Sequence, residues 1–110
     1  MTDLEKLIEA AEAGTFLRDV LPARNERLAY SAFGGSLDAA QALHEALLPG
    51  WRFKIEQSEI VAHGDDFTAC VWPNDCSRRE QVFRPFGEAP TAARAWLLAI
   101  LRAYAAEQSA

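Results

Sequence analysis

The chain is poor in the residues that carry disulfides, metals or nucleophilic chemistry. Its 110 residues include two cysteines, two histidines and one methionine. Two cysteines fit reduced thiols in a cytoplasm better than a disulfide framework. The motifs GxGxxG, HExxH and GxSxG and the P-loop are also missing from the sequence. We therefore expect a protein that is not an enzyme and has no cofactor.

Positive charge and long apolar runs are also scarce. Eleven Lys and Arg stand against sixteen Asp and Glu, a net charge of -5. Cationic side chains supply most of the affinity for phosphate backbones, so this balance argues against direct binding to nucleic acid. No apolar run is long enough to span a bilayer, and no basic segment precedes an apolar one near Met1. We expect no membrane contact, no secretory signal and a cytoplasmic location.

What is present suits one α+β domain over residues 1–110. The clearest stretch begins at Ser36, which is typical of a helix N-cap, and continues as an amphipathic helix. Pro49 and Gly50 end that helix. Residues 51–57 then alternate apolar and polar side chains, which predicts a strand with one buried face.

The remaining pattern predicts an antiparallel meander between helices. A capped first helix runs from Thr2 to Gly14, a short helical turn follows from Thr15, and an apolar segment at 28–33 could be extended. A second strand begins near 60–62 and resumes at 67–72, a third covers roughly 81–86, and residues 87–91 introduce the last helix. The predicted fold is a three-stranded antiparallel sheet packed with helices, αβα sandwich-like.

The apolar sides of these elements predict a core and a contact strip. The core positions are Trp51, Phe53, Ile55, Val71, Trp96 and Ile100. On the last helix, Leu98 lies between Arg94 and Arg102 and is expected to face water. Together with Leu97 and Leu101 it forms a candidate interface for a homodimer. The alternative is that the first helix covers this strip within one chain.

Few side chains are candidates for chemistry. His63, Asp65 and Asp66 are followed by Cys70 and Cys76, but their spacing matches no zinc template, so we expect a turn, ordinary thiols and no metal.

His44 falls at the edge of the apolar side of its helix. Such a histidine is usually hydrogen-bonded or half-solvated, and no sequence-local partner orients it for catalysis. A pairing of either cysteine with a histidine stays open.

Two further sets of residues allow a binding interpretation. Arg78, Arg79 and Arg84 form a basic cluster that could receive a carboxylate or phosphate, although such runs are more often solvated loops. The tryptophans at 51, 72 and 96 fit the core or its edge, and they could also anchor an interface.

Two segments carry a family resemblance. Residues 30–43, which continue into Leu48-Pro-Gly-Trp-Arg-Phe53, and residues 87–103 together resemble the small phage ABA sandwich proteins of phages and prophages. That family pairs a Ser-Leu-Asp-Ala-Ala helix with a Gly-Trp strand and ends in an alanine-rich helix introduced by proline. The resemblance implies a compact αβα unit, a phage-derived origin in a bacterial host, and no established activity. The polar side chains at 52, 54 and 56 depart from a sandwich, and they indicate an edge strand or a sheet covered on one side.

Three functions remain in competition. The first is a non-catalytic phage or prophage accessory protein that acts through contact with an unknown protein partner. The second is an anti-defence inhibitor that binds a host nucleic-acid-binding enzyme through acidic surface, which clustering of Asp and Glu would favour. The third is a cryptic enzyme or ligand-binding domain that uses His44, His63 or a cysteine, which a pocket around a histidine would favour.

Overall fold

The computed structural model describes residues 2–57, 67–74 and 85–109. In chain order these residues form α1 (Asp3–Glu12), α2 (Ala23–Phe33), α3 (Leu37–Leu47), β1 (Arg52–Gln57), β2 (Phe67–Trp72), β3 (Phe86–Ala89) and α4 (Ala92–Ser109). The predicted fold class, α+β with an antiparallel sheet of three strands and helices before and after it, is confirmed.

The sheet has the order β1-β2-β3, and both pairings are antiparallel. β2 is therefore the central strand and β1 lies at an edge, which is one of the two arrangements that the polar side chains of β1 indicate. Ala69 of β2 lies opposite Ile55 of β1 and Gly87 of β3, and Val71 lies opposite Phe53. Paired residues present their side chains on the same face, so these positions define one face of the sheet.

Helix α4 packs between this sheet and the other helices. It contacts all three strands and also α1, α2 and α3, whereas the earlier helices meet the sheet at few points. Its buried residues are Ala93, Ala95, Trp96, Leu97, Leu98, Ala99, Ile100, Leu101 and Ala103. A helix that is apolar all round is stable only when it is covered on every side. The layers therefore run from the sheet through α4 to α1, α2 and α3.

The sheet approaches α4 closely at Gly87. A Cβ atom built on this glycine would lie 2.3 Å from the carbonyl oxygen of Ala95, 2.6 Å from the Cβ of Leu98 and 2.8 Å from the amide nitrogen of Ala99. Two of these three atoms belong to the backbone of α4, which side-chain rotation does not move. Only glycine fits between β3 and α4 at this position.

Side-chain oxygens cap three helices, and the caps at Thr2 and Ser36 are those that the sequence predicts. The Oγ1 of Thr2 accepts from the amide of Glu5, and the Oγ of Ser36 accepts from the amide of Ala39. At the start of α4, the Oγ1 of Thr91 accepts from the amide of Arg94. In each case a side-chain oxygen satisfies an amide that has no carbonyl partner in the first turn.

Two local predictions before Ser36 are wrong. Residues 15–21 contain no helical turn, and residues 28–33 belong to α2 instead of extended chain. Pro22 stands just before α2, where its fixed φ and missing N–H are compatible with the start of a helix. The fully buried residues of α2 are Ala29 and Ala32, and two alanines give a weak apolar period.

The third strand also differs from the prediction. β3 covers residues 86–89, so the segment expected to lead into the last helix is strand instead. Residues 81–84, where most of that strand was expected, lie outside the described part of the chain. Gly87 and Ala89 carry almost no strand signal. The close approach of α4 requires glycine at position 87, and Ala89 is buried.

The expectation that Leu98 faces water is wrong. Leu97, Leu98 and Leu101 are 0%, 1% and 0% exposed within a single chain. Gly87 of β3 lies against Leu98, and α1 packs on α4 as well. The strip proposed as a homodimer interface is therefore already covered by the chain itself.

The contact at Gly87 predicts a large effect of one methyl group. Gly87→Ala should lower the free energy of unfolding by about 3 kcal/mol or more, because overpacking against backbone cannot relax by rotamer change. Gly34→Ala is the matched control: its added Cβ would meet its nearest atoms at 3.5 and 3.7 Å, which is ordinary contact. Urea unfolding of both variants tests the difference, and equal stabilities would contradict the close packing of β3 on α4.

Candidate protein-contact surface

His44 is buried and bonded through both ring nitrogens. Its side chain is 4% exposed. The Trp96 Nε1–H donates to Nδ1 at 3.3 Å, and Nε2 lies 2.9 Å from the carbonyl oxygen of Trp51. An indole N–H can only donate and a carbonyl can only accept, so the ring proton is assigned to Nε2. This arrangement ties α3, α4 and the start of β1 together, and it leaves neither nitrogen for a substrate.

Aromatic rings complete the surroundings of His44. The ring of Phe53 stacks on Trp96 with centroids 4.2 Å apart, and it meets the imidazole edge-on at 5.5 Å. Val71, Trp96 and Ile100 are buried as predicted, and Trp51 and Ile55 pack partly buried against them. Phe53 differs from the prediction, since 45% of its side chain is exposed. It covers the core from an edge strand that has no described neighbour on its outer side.

Cys70 and His44 lie on opposite sides of the sheet. Cys70 is a half-buried free thiol in β2, between the α4-facing residues Ala69 and Val71. Side chains alternate along a strand, so Cys70 faces away from α4 while His44 packs on the α4 side beside Phe53. The structure does not bring these two residues together as a nucleophile and base.

The other sequence candidates lie outside the described residues. They are His63, Asp65, Asp66, Cys76, Arg78, Arg79 and Arg84. Within residues 2–57, 67–74 and 85–109, no group of three or more His, Cys, Asp or Glu side chains is arranged to hold a metal ion.

Arg94 and Arg102 line a cleft of about 370 Å³ between α1, β3 and α4, with Leu98 between them. Arg102 donates to the carbonyl oxygen of Phe86 and to the carboxylate of Glu12. The Nε of Arg94 donates to the carbonyl oxygen of Phe33 at 3.2 Å, and its guanidinium lies 4.1 Å from the centre of that residue's ring. The two arginines therefore fasten α1, α2 and β3 to α4, and we assign them a structural role.

A second group of side chains lies at the surface, on a half-buried phenylalanine that packs against the core. We call it the aromatic–arginine surface; its members are Phe16, Leu17, Arg18 and Tyr30. Tyr30 is 53% exposed, and Leu17 is exposed as well. The ring of Phe16 meets the ring of Tyr30 edge-on at 5.4 Å, and the guanidinium of Arg18 lies 5.5 Å from the centre of the Tyr30 ring. The tyrosine is thus held in one orientation from two sides while its outer face stays in water.

The loop that carries Phe16, Leu17 and Arg18 has an unusual backbone. Asp19 has a φ of +65°, the one non-glycine residue with positive φ among those described. A residue in this region costs about 1 kcal/mol or more, although aspartate tolerates it better than most. The amide of Asp19 donates to the carboxylate of Glu26 on α2, which holds the turn in place. Val20 and Leu21 pack against the core and anchor the loop after this turn.

The charge around this surface is locally positive in an acidic protein. A cleft of about 260 Å³ beside Tyr30 is lined by Phe16, Arg18, Ala23, Glu26, Arg27 and Tyr30. Two guanidinium groups, of Arg18 and Arg27, and the carboxylate of Glu26, which accepts from the Asp19 amide, give the lining a net positive charge. The surface therefore combines a fixed aromatic ring, exposed apolar area and two cations.

Sequence reasoning missed this surface, because its members come from a loop and a helix that were not recognised. The exposed Tyr30 and the charged run before it were visible, but only the helical period of α2 places Arg27 and Tyr30 on one side. The positive φ of Asp19 has no reliable sequence signal.

Comparison of the chain with models of protein families, with curated proteins and with solved structures found no match. Among the described helices, none is both long enough and apolar enough to cross a membrane.

The hydrogen bonds of His44 give a testable prediction. His44→Phe keeps a ring of similar shape but removes the acceptor for the Trp96 N–H and the donor for the Trp51 carbonyl. Each buried group left unsatisfied costs about 1–3 kcal/mol, so with two such groups we expect the free energy of unfolding to fall by about 2–6 kcal/mol. His44→Gln, which keeps one donor and one acceptor, should lose less. Urea unfolding measures both, and an unchanged stability of His44→Phe would show that these hydrogen bonds do not hold the fold.

Proposed function

We propose that the chain is a non-catalytic protein-binding domain whose partner binds at the aromatic–arginine surface. The observation that carries the proposal is Tyr30, an exposed ring fixed by Phe16 and Arg18. Tyrosine, tryptophan and arginine dominate the binding energy of protein interfaces. A ring already held in its bound orientation loses little entropy when a partner covers it.

The composition of the surface suggests the chemistry of its partner. Arg18 and Arg27 are positive, while Leu17 and Tyr30 offer exposed apolar area. A partner segment that carries carboxylates next to apolar side chains complements both features. The charge-assisted pairs would set orientation and association rate, and burial of Tyr30 would supply most of the affinity.

The lack of catalysis is part of the proposal. Of the chemical candidates that the structure describes, His44 has both ring nitrogens bonded and Cys70 faces the other side of the sheet. Neither of them lines the 260 Å³ or the 370 Å³ cleft. A role as a cryptic enzyme or ligand-binding domain therefore has less support than protein contact.

The biological setting that we propose is a phage or prophage accessory protein in the cytoplasm of a bacterial host. Its support is the resemblance of residues 30–53 and 87–103 to the phage ABA sandwich proteins, and the comparisons with known proteins neither add to it nor oppose it.

One observation favours the second candidate, an inhibitor that binds a host enzyme through acidic surface. Glu5, Glu9 and Glu12 are exposed and recur at helical spacing along α1, with Asp3 nearby. They form a negative stripe on one side of the helix. Glu12 is already paired with Arg102, which reduces the charge available to a partner.

Site-specific photo-crosslinking distinguishes these surfaces. We expect p-benzoylphenylalanine at position 30, introduced in host cells, to give one cross-linked product of defined mass. The same group at Leu37, an equally exposed apolar position on α3, is the matched control and should not give that product. Products of equal yield at both positions would contradict a specific contact at Tyr30.

Affinity for the captured partner then tests the residues themselves. Tyr30→Ala and Arg18→Glu should each weaken binding about 30-fold, the effect of losing an interface hot spot, while the folded state is retained. Leu37→Ala should bind as the parent does. If Glu5→Lys and Glu9→Lys abolish binding while Tyr30→Ala does not, the aromatic–arginine surface is excluded and the acidic inhibitor is supported.

A further inference from the structure

The outer edge of β1 has main-chain groups that no described strand pairs. The amide of Val71 donates to the carbonyl oxygen of Pro85, so Val71 directs its main-chain groups toward β3. These groups alternate in direction along a strand, so the neighbouring residues Cys70 and Trp72 direct their main-chain groups toward β1. Their partners in β1 are Arg52 and Lys54.

By the same alternation, Phe53, Ile55 and Gln57 direct their N–H and C=O groups away from β2. Among residues 2–57, 67–74 and 85–109 no strand lies on that side. A row of such groups at a sheet edge is a template for another strand. Phe53 adds exposed apolar area at the same edge.

The charges of β1 favour one register for antiparallel pairing of this edge with the same edge of a second copy. Antiparallel pairing centred on Ile55 places Lys54 of each copy beside Glu56 of the other, in positions where side chains are closest. Pairing centred on Lys54 would bring the two Lys54 side chains together, although it would also place Arg52 of each copy opposite Glu56 of the other. Pairing centred on Glu56 would bring the two glutamates together. Both alternatives place like charges directly opposite, which is destabilising.

We propose that β1 is a homodimer interface in which the edges of two copies pair antiparallel about a two-fold axis at Ile55, joining their sheets into one. Ile55 faces its own counterpart, and Phe53 of each copy faces Gln57 of the other. Each of these facing pairs exchanges both N–H···O bonds. The cross-strand contacts between Lys54 and Glu56 add to the pair that these residues form within one strand, where Nζ and Oε1 are 2.6 Å apart.

The side chains and main-chain groups of β1 favour pairing with a second copy of this chain over pairing with an unrelated strand. Phe53 is stacked on Trp96 and thus held in place, and its exposed side would lie against the Gln57 side chain of the second copy. The pairing is self-complementary in both main-chain direction and charge, as a two-fold interface requires. This interface replaces the helix strip at Leu98, which the chain covers by itself.

Charge reversal tests the register. We expect sedimentation between about 1 and 500 µM to show a reversible dimer, a range suited to a small interface. Lys54→Glu alone, and Glu56→Lys alone, should each raise the dissociation constant about tenfold or more, because each creates two like-charge contacts in the dimer. The double variant should restore the parent value. Lys6→Glu and Glu9→Lys on α1 change the net charge equally and should leave the dissociation constant unchanged.

Hydrogen exchange identifies the edge independently of charge. The amides of Phe53, Ile55 and Gln57 should exchange rapidly at low protein concentration and slowly at high concentration. The amides of Lys54 and Glu56, which bond to β2, should be protected at both concentrations. This pattern separates pairing at β1 from a dimer formed by any other surface.

Several outcomes would overturn the proposal. The proposal is contradicted if the chain stays monomeric at about 500 µM, the upper end of that range. It is contradicted equally if the single charge reversals leave the dissociation constant unchanged, or if hydrogen exchange at the Ile55 amide does not depend on protein concentration. None of these results bears on partner binding at Tyr30, so the two proposals fail separately.

Discussion

The fold depends on covering α4 on every side. Its apolar residues surround the helix, so no single neighbour can bury them. The sheet takes one side, and its closest strand must carry glycine at position 87 because the backbones nearly touch. Helices α1, α2 and α3 take the rest, and each has only ten or eleven residues. Isolated helices of that length are marginal in water, so their stability comes from packing on α4.

This constraint determines what the polar residues near α4 can do. The Trp96 N–H enters the interior with its ring and needs an acceptor, which His44 supplies. Arg94 and Arg102 emerge at the rim of the helix and bond to main-chain carbonyls of α2 and β3. His44, which sequence reasoning would consider for chemistry, is therefore used to hold layers together, as are the two arginines. What remains for function, in the part of the chain that the structure describes, is the outer surface, and this is why we place the function in protein contact.

The sequence predicts those features that have a local physical cause. The caps at Thr2 and Ser36 depend on one hydroxyl and one nearby amide, and the alternation after Trp51 depends on neighbouring residues, so both were found. The fold class, with its antiparallel sheet, followed from the same patterns. The resemblance to a phage family, in contrast, stays a prediction.

The sequence-based predictions that the structure contradicts have a common cause, which is contact between residues distant along the chain. A helix buried on all sides has no polar face, so the position of Leu98 between two arginines was mistaken for exposure, although both arginines bond to other elements. Buried alanines in α2 and the small residues of β3 carry a weak periodic signal, because close packing and not hydrophobicity selects them. The aromatic–arginine surface was missed for the same reason: it forms only when the loop at Asp19 is fastened to α2 by Glu26.

The two proposed surfaces lie on different layers, and this has a consequence for binding. Tyr30 belongs to α2, which packs on α3 and α4, whereas β1 is the edge of the sheet on the other side of α4. Pairing of two β1 strands would therefore leave both copies of the aromatic–arginine surface open to a partner. A dimer with two such surfaces binds a partner that is itself repeated or dimeric with an avidity well above the affinity of one site, provided that both can be reached together. Variants at Lys54 and Glu56 would then weaken binding to a repeated partner without touching Tyr30, and they would leave binding to a single copy of the partner unchanged.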